Sequence, residues 1–288
     1  MSGQAASGTG ATQELARPVN IPPRPALLIA LQHEMSRDDP HIGKIARLIN
    51  RDVAIAGNLL AIANSAMFNL GRHVETIEGA ISLIGLNHCH ALLTRLMARR
   101  VLAHGRMMMP RFWDVSEKRS WGMLHVARKM HIASPEAAHN FGLFSDIGIP
   151  LMMASFSSYP ETLLLANRME TCGFVQLENQ RHRINHAVVG AMLAEHWNID
   201  ADIVLAIRKH HSFEVLDNGS ASSAVRELIA VHLIVEKAIQ DFRHAVSGEW
   251  NSRGTLAMAA LQLSDSDVSA LCEELQTLFL SPGFRFPQ

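Results

Sequence analysis

The side chains with chemistry to offer are spread along the chain: Asp146 within Gly142-Leu143-Phe144-Ser145-Asp146-Ile147-Gly148, then Glu178, His186 and the adjacent His210-His211. Imidazoles and carboxylates hold transition metals, and they also pair with one another through charge-assisted hydrogen bonds. A metal requires several donors converging on one point. Two readings follow for the five residues. In one, they satisfy each other and tie together the helices that contain Trp113, Ala137, His186 and Ala201, because buried polar groups must be paired. In the other, they line a pocket that binds a ligand without turning it over. The first has priority, since no ligand-specific motif accompanies them. Glu178 has a plainer alternative, a surface acid on a loop.

Other chemistry is missing from the pattern. No Gly-Lys-Ser/Thr phosphate loop, G-x-S-x-G elbow or G-x-G-x-x-G turn occurs, and Gly8-Thr9-Gly10 falls in a Gly/Ser/Ala-rich start. Ser120 and His125 share a segment without the signature of a nucleophile and base. Cys89, Cys172 and Cys272 are odd in number and far apart, which argues against a disulfide framework or thiolate zinc and suits a reducing compartment. Cys172 reads as a passive helix-end cysteine. Of the 16 histidines, His33, His41, His73, His104, His131 and His244 read as surface or helix-end residues. The 14 methionines read as core filler.

The elements that must position these side chains are helices. With 48% hydrophobic and 18% charged residues among 288, the chain has material for one large or two modest domains. Helical spacing dominates and strand alternation is scarce, so an all-α fold is expected. Residues 1–17 read as disordered, and Ile21-Pro22-Pro23-Arg24-Pro25 as a stiff extended entry. Helices are expected over Ala26–Met35, from Asp38-Asp39-Pro40 to near Asn50, and over Val53–Asn64. Thr76 should cap a helix stopped by Gly85, and Asn87 one from His88 to about Met107. Pro110 breaks the pattern, Trp113–His131 follows, and Ser134-Pro135-Glu136 is a helix start that leads to Asp146. Further helices are expected from Tyr159 to near Gly173, His186–Trp197 capped by Asn185, Ala201–His211 capped by Asp200, Ser222–Phe242 and Asp265–Leu280. Asp217-Asn218-Gly219-Ser220 reads as a loop, and the polar stretch Ser247–Thr255 as a separator.

The net charge of -1 leaves no basic footprint for nucleic acid. The arginines of Arg95–Arg100 read as a solvated helix face without interleaved aromatics. Met1–Thr12 has neither a basic nor an apolar leader pattern, and no apolar run approaches the roughly 20 residues that span a bilayer. The cytoplasm, and no membrane contact, is the expectation.

In combination, several segments resemble one family. They are the Pro22-Pro23 entry, Ile49–Asp52, Asn64-Ser65-Ala66-Met67-Phe68 and Ile77–Gly85 with Ala80-Ile81. They are followed in order by Trp113, Gly142-Leu143, Asp146-Ile147-Gly148, Glu178, His186 with Gly190, Trp197 and His210-His211. The pattern, from about Val19 to Ala238, resembles the HDOD family of bacterial regulatory domains, relatives of HD-type metal phosphohydrolases. Asp52-Val53 stands where that family usually has Asp-Pro. Asn64, Ser65, Gly71 and Gly85 have an adequate structural role as cap and turn residues.

The resemblance implies an HDOD domain over 18–215, made of an N-terminal helical lobe (18–109) and a degenerate HD-like lobe (110–215), with C-terminal helices (216–288) packed on the latter. Its metal-ligand positions fall on Val115, Ser145, Asp146, His186, His210, His211 and Val235, so three donors are lost. The implied protein is a non-catalytic bacterial signalling module, with no metal and no cofactor. It would act through signalling proteins or a small-molecule or nucleotide ligand, and the length accounted for by helices leaves none for an attached receiver, kinase or cyclase. Two rivals stand beside it: a metal-dependent HD-type phosphodiesterase or phosphohydrolase with an altered site, and a nucleotide-binding sensor without turnover.

Overall fold

The computed structural model describes residues 19–65, 68, 73–102, 109–167, 173–217 and 219–281. Among them are fifteen α-helices, one 3-10 turn (Phe213–Leu216) and no strand, so the fold is all-α. Helices α1 (Ala26–Met35), α2 (Ile42–Asn50), α3 (Val53–Ala63), α4 (Ile77–Ile84) and α5 (Leu86–Leu102) pack on one another. Helix α5 also meets α7 (Pro135–Phe144), which lies along α6 (Pro110–Met130). Then come α8 (Gly148–Ser155), α9 (Tyr159–Ala166), α10 (Phe174–His182), α11 (His186–His196) and α12 (Ala201–Lys209). The last three, α13 (Ser223–Phe242), α14 (Gly248–Leu261) and α15 (Asp265–Leu280), close the chain, with α13 and α15 against α6.

Local signals fixed many boundaries. The Thr76, Ser134, Asn185 and Ser222 side chains accept the backbone N–H three residues on, each as an N-cap. Ser264 and Asp267 form a reciprocal capping box ahead of α15. Asn64 clamps the chain after α3: its Nδ2 donates to the Val74 carbonyl and its Oδ1 accepts from the Val74 N–H, both at 2.8 Å. Trp197 is buried and its Nε1 donates to the Pro22 carbonyl (3.0 Å), pinning the extended entry to α11. His33, His41, His73, His131 and His244 are exposed.

Elsewhere tertiary structure overrode the local signal. Helix α2 starts at Ile42 rather than at Asp38-Asp39-Pro40. The buried Glu34 of α1 accepts from the His41 N–H and from Lys44 Nζ (2.5 Å), and so supplies the missing carboxylate from a neighbouring helix. Helix α5 starts at Leu86, before Asn87, because Gly85 at φ 87 turns the chain and its carbonyl accepts the Cys89 N–H. Helix α12 ends at Lys209, which leaves His210-His211 in the following turn. Helices α8 and α10 were not expected. The polar stretch Ser247–Thr255 belongs to α14, where Gly254, Ala257 and Leu261 make a narrow buried stripe at helical spacing. The expected features at residues 1–17, Ala66-Met67, Gly71, His104, the 103–107 helix tail, 168–172 with Cys172, and Asn218 lie outside the described residues.

Two glycines set the crossings that matter for the site. A Cβ on Gly148 of α8 would stand 2.0 Å from the His186 carbonyl oxygen, so only glycine lets α8 lie against the start of α11. A Cβ on Gly142 of α7 would stand 2.8 Å from the Ser120 Cα and 3.0 Å from the Arg119 oxygen, so α7 lies backbone to backbone on α6. The turn between α7 and α8 carries Asp146.

Candidate functional site

Asp146 is the hub of a buried polar cluster. Its Oδ1 lies 3.4 Å from His186 Nε2 and 3.5 Å from His210 Nε2. His186 Nε2 lies 3.1 Å from His211 Nε2. One donor atom from each of these four residues lies within 4.8 Å of the others. The sequence-derived residues Asp146, His186, His210 and His211 are thus brought together, and Glu178 stands directly behind them.

The far ring nitrogens explain the orientation. His186 Nδ1 is 2.7 Å from Glu178, which also accepts from the Tyr159 hydroxyl and the His186 backbone N–H. Glu178 is fully buried on α10, so the loop alternative for it is corrected. His210 Nδ1 donates to the Ile207 carbonyl (2.6 Å), and His211 Nδ1 is bound by Glu249 of α14 (2.5 Å). A carbonyl only accepts, so His210 carries its proton on Nδ1 and turns the Nε2 lone pair toward Asp146. Each imidazole is held by an acceptor at Nδ1 and presents Nε2 to the centre, the arrangement that orients metal-ligating histidines.

Electrostatics agree. Burial by itself would lower the His186 pKa, but Glu178 and Asp146 raise it to about 9, so at neutral pH one proton sits among the converging acceptors. Burial, aided by the charge of His211, lowers His210 to about 4. For Asp146 burial opposes ionisation, yet Arg119 and His186 hold its carboxyl well below the usual carboxylate range.

The other face of Asp146 is different. Arg119 Nη2 donates to Asp146 Oδ2 at 2.6 Å, and Arg119 Nε donates to Glu236 of α13. The Arg119 side chain is 3% exposed, against 21% for Asp146. The sequence reading placed lost donors at Val115, Ser145 and Val235. The side chain that α6 sends to Asp146 is Arg119, one helical turn beyond Val115, and α13 sends Glu236, next to Val235, to the other side of that guanidinium. Val235 instead faces Gly122 and Leu275. The Oγ of Ser145, the Nε2 of His210 and the Nε2 of His232 are buried without a hydrogen-bond partner. The His232 ring lies 5.3 Å from that of His210 and 5.2 Å from that of Phe141, and burial holds it neutral.

The residues on the histidine face fit a metal ion. Three nitrogens and a carboxylate oxygen form a donor set suited to zinc or another imidazole-binding transition metal. Metal–ligand bonds of about 2.0–2.1 Å imply tetrahedral ligand–ligand edges of about 3.3–3.4 Å. The separations of 3.4, 3.5 and 3.1 Å match that edge. On the arginine face the residues do not fit an ion, because a guanidinium fills it. Arg119, Glu236, Glu249 and Tyr159 were not found from the sequence. Nothing local marks them, and only the packing of α6, α9, α13 and α14 brings them in.

A model of the HDOD domain family matches residues 21–213. The chain is 25% identical over 264 residues to an uncharacterised protein of Treponema pallidum (strain Nichols), covering 90% of this chain and 50% of that protein. It thus spans about half the length of that relative. Among solved structures it is similar to a Marinobacter aquaeolei VT8 protein described as a candidate signal transduction protein (TM-score 0.70, 15% identity, 91% of this chain and 59% of that one). It is also similar to a Shewanella amazonensis SB2B protein described as a candidate phosphohydrolase (TM-score 0.65, 18% identity, 94% of this chain and 92% of that one). At these identities the structural likeness establishes the fold alone.

Proposed function

The chain belongs to the HDOD domain family, and from that premise we propose that it is a non-catalytic signal-transduction module. One observation carries the reading. Four protein donor atoms lie within 4.8 Å of one another, and the remaining side of Asp146 is closed by a guanidinium. A hydrolytic site keeps a coordination position for water, whereas four protein ligands make a closed, structural one. Two-ion hydrolysis needs cations on both sides of a bridging group, and here Arg119 stands on one of those sides. When bound, an ion held by Asp146, His186, His210 and His211 would cross-link the turn between α7 and α8, the start of α11 and the turn after α12. Glu178 and Glu249 hold the rings in place, and Arg119 fixes the carboxylate.

Such a module works by contact. Its partners are signalling proteins or a small ligand, nucleotides included. The balanced charge speaks against nucleic acid, and no described helix is long and apolar enough to cross a membrane. A cytoplasmic site of action follows from the composition. A second reading, a phosphohydrolase working with one ion, draws on the same donor set and on the fold shared with the Shewanella protein. One experiment separates them. Protein loaded in turn with manganese, iron and zinc is assayed against cyclic dinucleotides and nucleotides. No turnover is expected, and hydrolysis that disappears in Asp146→Ala would establish the enzyme instead.

A further inference from the structure

We infer that Arg119 is a built-in cation: its guanidinium, clamped between Asp146 and Glu236, takes the room and the charge of a second metal ion, so the cluster accepts a single divalent ion on its histidine face. The inference rests on the closed-site reading above and adds the residue that enforces it.

Three observations carry it. First, Arg119 bonds both carboxylates at once and is almost wholly buried, so its charge is fixed and not shared with solvent. Second, it acts on the same carboxylate as His186 and His210 but on the opposite oxygen, the relation of two ions that share a bridging ligand. Third, among the described residues Arg119 is the side chain bonded to that second oxygen, while the Oγ of Ser145 and the Nε2 of His232 are buried without a hydrogen-bond partner. The guanidinium cannot be deprotonated away, and a divalent ion beside it would meet a like charge at close range in a poorly screened interior. The close approach at Gly142 sets α7 against the α6 backbone at Arg119 and Ser120. Remove the guanidinium, and Asp146 Oδ2 and Glu236 become two carboxylates facing one gap, a ligand set for a hard oxygen-seeking cation.

The test is a metal count. Full-length chain is stripped with chelator, dialysed against Mn²⁺ or Zn²⁺, and measured by elemental analysis and calorimetry. Wild type should hold one ion per chain, and Arg119→Lys, which keeps the charge, also one. Arg119→Ala should hold two with Mn²⁺. If Arg119→Ala does not fold, Arg119→His replaces it, filling more of the space and adding a donor, with the same expected count of two. A wild-type count of zero or two would overturn the inference by itself, as would a folded Ala or His variant that stays at one. Hydrolysis by wild type carrying one ion would sink the regulatory reading and leave the assignment of Arg119 standing.

Discussion

Asp146 has two faces, and their surroundings differ in kind. Toward α11 and the end of α12, His186 and His210 meet Oδ1 and His211 meets His186, the three rings held from behind by Glu178, the Ile207 carbonyl and Glu249. Toward α6 and α13, Oδ2 meets the Arg119 guanidinium, itself bound to Glu236. One face keeps donors with a space between them, and the other has donor and charge joined covalently to the chain. The contrast teaches that losing ligands need not leave a void: a cation supplied by a side chain preserves the electrostatics while closing the chemistry.

The arginine face should be the more costly to break. Arg119→Met removes the counter-charge that Glu236 and Asp146 Oδ2 share, and should cost about 3–5 kcal/mol in denaturant titration of metal-free protein. Combining it with Glu236→Leu should recover much of that loss, because the buried charge left behind is then smaller. A single-variant loss within experimental error would remove the distinction between the faces.

On the histidine face, Glu178→Gln should cost about 1–3 kcal/mol, since the buried Tyr159 and His186 groups lose a charged acceptor. The His186 pKa, followed by NMR, should fall from about 9 toward its ordinary value. Metal affinity should drop about 10–100-fold, as for other orienting partners of ligating histidines. An unchanged His186 titration would show that Glu178 does not orient the ring.

The smallest effect is the pH profile of the metal-free protein. His186 is raised, so its contribution is fully present below the ordinary histidine value of 6.5 and is lost as pH climbs toward 9. His210 and His139 are lowered chiefly by burial, to about 4 and about 3, so their contribution is present above 6.5 and fades as pH falls toward those values. Asp146, held well below 3.8, adds a further loss under strong acid. Thermal melts should therefore peak near pH 6.5 and decline on both sides, and a flat profile from pH 5 to 9 would contradict these protonation states.

The features legible in the sequence are the ones set within a few residues. Thr76, Ser134 and Asn185 precede their helices and cap them, and the order of Asp146, His186 and His210-His211 marks the family. Glu178 was legible as a residue but not in its setting, because α10 has little apolar periodicity and its burial comes from Tyr159 and His186. Arg119 and Glu236 are 117 positions apart and meet only because α13 and α7 both pack on α6. Counting along the chain pointed to Val115 and Val235, a turn away from Arg119, which bonds Asp146, and one residue away from Glu236, which bonds Arg119. Glu249 was hidden for another reason: α14 buries so narrow a stripe that its sequence reads as a polar linker.

The most direct test is X-ray absorption and anomalous diffraction on metal-loaded protein. The account predicts one ion bound by three histidine nitrogens and the Asp146 carboxylate, with no bound water and with the Arg119 guanidinium on the other side of that carboxylate. Two ions about 3.5–4 Å apart with an oxygen between them, the spacing of a two-metal hydrolase, would contradict it.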